Sequence, residues 1–170
     1  ETGAYDYTQS GRIIYDIAEL TDTSRNDLNA AIDSLYASGY TPLGEVLYEA
    51  GLYFKGAQSY FNWQNSSQKV QYTSPIEYYC QKNYVVLMTD GMSTMDLDPV
   101  LKTIGNNGDV DGDKREPGMA NDPNYGSEGS DYLDDVVKYY YDGDLRSDLQ
   151  SQQNLVVYTI GFELSNTDPD

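Results

Sequence analysis

The chain has 170 residues, 39% apolar and 22% charged, which fits one folded domain or part of one and not a disordered tract. Ten basic residues face 28 acidic ones, and the net charge of −18 repels phosphate backbones and anionic lipid, so nucleic-acid partners are not expected. With no histidine and one cysteine, histidine-based catalysis, thiolate zinc clusters and an internal disulfide are excluded. No apolar run reaches the roughly 18 residues of a membrane span, and no basic-then-apolar leader is visible, so membrane insertion is not expected. The 18 tyrosines against 3 phenylalanines resemble the composition of secreted and adhesive surfaces.

In chain order, Arg12-Ile13-Ile14-Tyr15-Asp16-Ile17 reads as a strand of β-branched and aromatic residues. A helix is expected over about 24–38, because Leu28, Ala31, Ile32, Leu35 and Tyr36 recur at helical spacing. Ser24 with Asp27 would form its capping box and Gly39 its stop. A second helix starts at Thr41-Pro42, with Thr41 as its cap and Leu43, Val46, Leu47, Ala50 and Phe54 as its stripe. Residues 55–79 are polar and aromatic and read as an irregular excursion, in which Asn65-Ser66-Ser67 is a glycosylation triplet that says only "surface". Phe61, Trp63 and nearby tyrosines would cover a small satellite core or form a binding face.

Tyr84-Val85-Val86-Leu87-Met88 is a continuous apolar run, the pattern of a strand buried on both faces of a parallel sheet. Residues 92–129 then read as a long loop. A helix follows over about 130–141, with Asp131, Asp134 and Asp135 crowding its start, where the helix dipole favours negative charge. Residues 155–161 are a last buried strand. Strands alternating with helices predict an α/β fold with a mostly parallel sheet.

Ligands of such sheets sit beyond the carboxyl ends of the strands. Asp90 follows a buried strand there, with Gly91 to let the chain turn, and Thr41 opens a helix. A hydroxyl and a carboxylate converging on that edge would suit Mg²⁺ or Ca²⁺, while taken singly each is an ordinary cap or turn residue. A second candidate is Asn107-Gly108-Asp109-Val110-Asp111-Gly112-Asp113, where oxygen side chains at alternate positions precede a glycine as in a calcium loop. Asn107, Asp109, Asp111 and Asp113 would be its ligands. Position twelve of the pattern is Gly118 rather than glutamate, so the bidentate ligand must come from Glu116 or from a remote acid. Cys80 would pair outside this chain or stay a buried thiol.

The segment Gly39-Tyr40-Thr41-Pro42-Leu43-Gly44-Glu45-Val46-Leu47 resembles the threonine loop of von Willebrand factor A-type domains, and Tyr84 to Gly91 resembles their aspartate strand. With Ser74-Pro75-Ile76, Cys80-Gln81-Lys82-Asn83, Val110-Asp111-Gly112-Asp113 and Tyr139-Tyr140-Tyr141-Asp142-Gly143-Asp144-Leu145-Arg146, the chain is similar over about 11–164 to the PilC-like family of type IV pilus tip adhesins and biogenesis factors. The resemblance implies a three-layer αβα fold and a metal-ion-dependent adhesion site holding Thr41 and Asp90. It also implies an Asp-x-Ser-x-Ser motif, which this sequence lacks; Asp22-Thr23-Ser24 imitates its first half but lies too close to Thr41. Residues 1–170 therefore read as the later part of such a domain, with its central first strand missing and insertions at about 55–79 and 92–129.

The function implied is a non-enzymatic, metal-dependent adhesion module at the bacterial surface or pilus tip, extracellular or held at the periplasm or outer membrane. Its partners would be pilus proteins or host and abiotic surface ligands, and an upstream segment or another chain would complete the sheet. A structural pilus-assembly subunit without a working metal site is the alternative. A metal-dependent hydrolase built on aspartates is a third reading, disfavoured because no nucleophile–base pair is recognisable.

Overall fold

The computed structural model describes residues 11–35, 39–65, 68–112 and 129–162, and the backbone alone at 63–65. These residues form a small mixed α/β domain with three α-helices and two small sheets, one of them parallel.

Helix α1 spans Asp22–Asp33. Its capping box pairs Thr21 with Ser24, three residues ahead of the expected one: the Ser24 N–H donates to Thr21 Oγ1 and the Thr21 N–H donates to Ser24 Oγ. The helix ends well before Gly39, and it buries none of its residues. The segment expected to be a strand, 12–17, has no strand partner among the described residues and runs as irregular chain. Both departures have one cause. The apolar pattern is real, but the described residues leave Ile14, Ile17, Leu20, Ile32 and Leu35 largely uncovered.

Helix α2, Leu43–Lys55, is the centre of the core. Gly56 ends it in the left-handed conformation, φ 66°, and the N–H groups of Gly56 and Ala57 return to the carbonyls of Tyr53 and Leu52. That double closure is the glycine stop expected of a well-defined helix end. The excursion at 55–79 is more ordered than expected. Strands β1, Gln58–Asn65, and β2, Gln68–Gln71, pair antiparallel with register shifts along the ladder. Buried Glu49 of α2 anchors this hairpin: one of its oxygens accepts from the N–H groups of Tyr60 (2.9 Å) and Phe61 (3.0 Å), the other from the Tyr72 hydroxyl (2.6 Å). Charge-assisted bonds of this kind offset the cost of burying a carboxylate.

Strands β3, Asn83–Thr89, and β4, Leu155–Gly161, pair in parallel, in register from Asn83 opposite Leu155 to Thr89 opposite Gly161. The connection between them carries a short 3₁₀ turn at Leu101–Thr103 and helix α3, Tyr132–Asp142, so the long loop of 92–129 is partly built. Helices α2 and α3 pack together, and α3 lies on β4. Leu47, Phe54, Phe61, Ile76, Leu101, Tyr132, Val136, Tyr140 and Leu155 form one buried cluster.

The expectation that β3 is buried on both faces fails. Side chains alternate across a strand, and the helices cover one face only. Leu87 and Leu155 point inward, while Tyr84, Val86 and Met88 are 55%, 58% and 59% exposed, with Tyr158 and Ile160 beside them on the open side. Arg146 fastens the far end of the fold: its guanidinium grips Asp148 with two bonds of 2.7 Å and donates to the Ile76 carbonyl at 2.6 Å. Cys80 is exposed, which overturns the buried-thiol reading.

Candidate metal centre

The acidic loop expected to bind calcium begins with two left-handed residues, Gly105 and Asn107, followed by a third, Gly108. The Gly108 N–H returns to the Ile104 carbonyl at 2.8 Å. A Cβ at Gly108 would stand 2.5 Å from the buried Tyr132 ring, so close approach as well as φ requires glycine there. The tight coil brings Asp109 and Asp111 round to face the start of α3.

The third acid of the site is Asp135, expected from the sequence only as a charge at the start of α3. One oxygen from each of Asp109, Asp111 and Asp135 lies within 4.8 Å of the others. Asp135 is buried, and one of its oxygens accepts the N–H groups of Val110 (2.5 Å) and Asp111 (3.2 Å). The loop backbone is thus pinned to α3 through the side chain that completes the cluster. Asp109 folds back to accept the Gly112 N–H at 2.9 Å. Of the expected ligands, Asp109 and Asp111 converge, Asn107 lies on the same coil in the left-handed conformation, and Asp113 lies outside the described residues. Glu116 and Gly118 lie outside them as well.

Burial raises the Asp135 carboxyl above its ordinary value; the Val110 and Asp111 N–H groups oppose this and the charges of Asp111 and Asp109 add to it. Asp134 beside it is pushed up to about 7, first by burial and then by the charge of Asp131. Acids crowded against their own repulsion are a ready position for a hard divalent cation, which takes carboxylate oxygens and relieves that repulsion. Three carboxylates with room for water or for a partner's oxygen suit Ca²⁺ or Mg²⁺ better than a softer metal.

The other expected site falls at the carboxyl end of β3. Thr41 does not cap α2; the cap position is Pro42, with no side-chain bond. The cap comes from Asp96, which is wholly buried and accepts the N–H groups of Gly44 and Glu45 at 2.9 Å each, plus the hydroxyls of Ser93 (2.5 Å) and Ser130 (3.1 Å). Thr41 is instead stitched to the loop after β3: its N–H donates to Thr94 Oγ1 at 2.9 Å and its carbonyl accepts the Thr94 N–H at 3.0 Å. Asp90 is exposed at the head of that same loop. Gly91 does not use the left-handed region, and a Cβ there would meet nothing, so the turn does not depend on it.

Nothing in the sequence pattern around Asp135 singled it out, since acids are common at helix starts. The remote acid required by a calcium loop lacking its twelfth-position glutamate was the available signal. Comparison of the chain with protein-family models, with curated proteins and with solved structures found no match.

Proposed function

We propose that this chain is a non-enzymatic, divalent-cation-dependent interaction module of the von Willebrand factor A-like kind, acting outside the bacterial cell in the manner of the PilC-like pilus tip proteins it resembles. The observation that carries the cation part is the convergence of Asp109, Asp111 and Asp135 on one point. In this reading Ca²⁺ at that point locks the 105–112 coil onto α3. A second cation, Mg²⁺ or Ca²⁺, is assigned to the edge where Thr41 meets the Asp90 loop, and the paired Thr41–Thr94 bonds support that assignment by holding the two loops together. The ligand gripped there is a carboxylate of a pilus protein or of a host or abiotic surface.

The open apolar face of β3 and β4 supports the three-layer αβα reading. Parallel sheets are as a rule covered on both sides, so a further strand and helix, from another segment of a longer polypeptide or from another chain, would finish the sandwich. The same face also favours a second reading, a structural pilus-assembly subunit that docks through it and needs no open metal position.

Calcium titration followed by melting temperature tests the proposal. A ligand at a hundred times its Kd adds about 2.7 kcal/mol to the native state, and the gain should vanish in Asp135→Asn and in Asp109→Asn/Asp111→Asn. No stabilisation at millimolar calcium removes the cation from the reading. Ligand capture by the wild type that survives Thr41→Ala and Asp90→Ala would favour the structural subunit over the adhesion module.

A further inference from the structure

A cleft of about 540 Å³ opens between the irregular 13–17 segment, β2 and the turn that follows it, lined by aliphatic Ile13, Ile14, Ile17, Val70 and Pro75. The segment forming its near wall is anchored by the Ile17 N–H, which donates to the Tyr53 hydroxyl at 2.8 Å. Four side-chain donors of the cleft are engaged inside the protein. The Gln71 amide donates to the carbonyls of Gly56 (2.9 Å) and Tyr72 (3.3 Å), and the Asn62 amide to the Tyr72 hydroxyl (3.3 Å). The Tyr72 hydroxyl itself donates to Glu49, and the Ser74 hydroxyl to the Phe54 carbonyl. The lining also carries two exposed carboxylates, Asp16 and Glu77, and neither lysine nor arginine.

The cleft therefore combines an aliphatic wall with negative acceptors. We propose that it binds a lysine or arginine side chain of an extended basic peptide, the aliphatic stem lying along Ile14, Ile17 and Val70 and the cationic head reaching Asp16 and Glu77. Long basic side chains bury their methylenes on apolar surface while keeping the charge at a polar rim. The net charge of −18 attracts such a ligand to the protein and repels a second copy of the chain as the occupant. This site is separate from the Asp109–Asp111–Asp135 cluster and does not rest on the cation reading.

The test is calorimetric titration of the full chain, with chelator present, by an end-capped trilysine peptide and by a triglutamine control. Trilysine should bind saturably and triglutamine should not. Asp16→Asn/Glu77→Gln should weaken trilysine about tenfold, the size expected for two exposed ion pairs together. Ile17→Ser, at a side chain 62% exposed and so safe for folding, should weaken it severalfold. Asp22→Asn/Asp27→Asn, which removes the same charge from α1, should leave affinity within about twofold. Equal weakening by the two charge-matched pairs, an unchanged affinity in Ile17→Ser, or no saturable binding overturns the proposal. If the Asp16/Glu77 double variant does not fold, Glu77→Gln alone and Ile17→Ser decide.

Discussion

Asp96 occupies the position of a capping side chain for α2, yet it comes from 52 positions beyond Gly44, which donates to it. Removing it leaves two helix N–H groups and two hydroxyls without their acceptor. Asp96→Ala should therefore cost about 3 kcal/mol, a cap plus unsatisfied donors, read by urea unfolding. Burial raises the Asp96 carboxyl above its ordinary value, and the Ser93, Glu45, Gly44 and Ser130 donors pull it back. An acid raised in the folded state keeps its proton after the unfolded chain has released it. Its contribution is full below the unfolded value of about 3.9 and is lost as pH rises through the raised folded value. Between that unfolded value and neutrality the wild type should lose stability more steeply than Asp96→Asn; matching slopes for the two would show that Asp96 does not titrate in this range. Glu49 acts likewise for the hairpin. Glu49→Ala should cost about 3 kcal/mol because two backbone donors and the Tyr72 hydroxyl lose their partner together.

At the scale of elements, α2 and α3 touch closely where Gly51 meets Tyr140. A Cβ at Gly51 would fall 2.0 Å from the Tyr140 ring, whose side chain is almost fully buried and whose hydroxyl is tied to the Tyr48 carbonyl at 2.9 Å. The ring cannot retreat, so Gly51→Ala should destabilise by roughly 1–3 kcal/mol even though alanine is the better helix former. A higher melting temperature in that variant would refute the close contact. Helix α1 is the opposite case. It buries no residue, so Asn29→Pro should remove helical circular dichroism while shifting the main melting transition little. A large drop in that transition would show α1 to be packed in solution.

For the whole molecule, the one-sided sheet is the dominant feature. Val86 and Met88 are more than half exposed on its open face. Val86→Lys/Met88→Lys should change the stability of the isolated chain by no more than about 0.5 kcal/mol, as surface substitutions do. A loss of several kcal/mol would mean that a second copy already covers the face, and sedimentation would then show the dimer. The excess of acids acts at the same scale: much of it is solvated surface, but three acids from two separated segments are drawn to one point because the core pins the 105–112 coil to α3.

The elements whose apolar pattern had a partner were legible in the sequence: α2, α3, β3 and β4 fall within a few residues of their expected ranges. The 12–17 strand and the buried face of α1 were not realised, because periodicity states which side of a segment is apolar and not whether anything lies against it. Composition alone removed histidine and zinc-thiolate chemistry from this chain, and local spacing marked Asp109 and Asp111 as candidate oxygen ligands. Only the tertiary structure decided that Asp135 joins them, that Asp96 rather than Thr41 caps α2, and that Glu49 holds the hairpin. Each of those contacts links residues distant along the chain, and local sequence carries no record of which distant donor a buried carboxylate will meet.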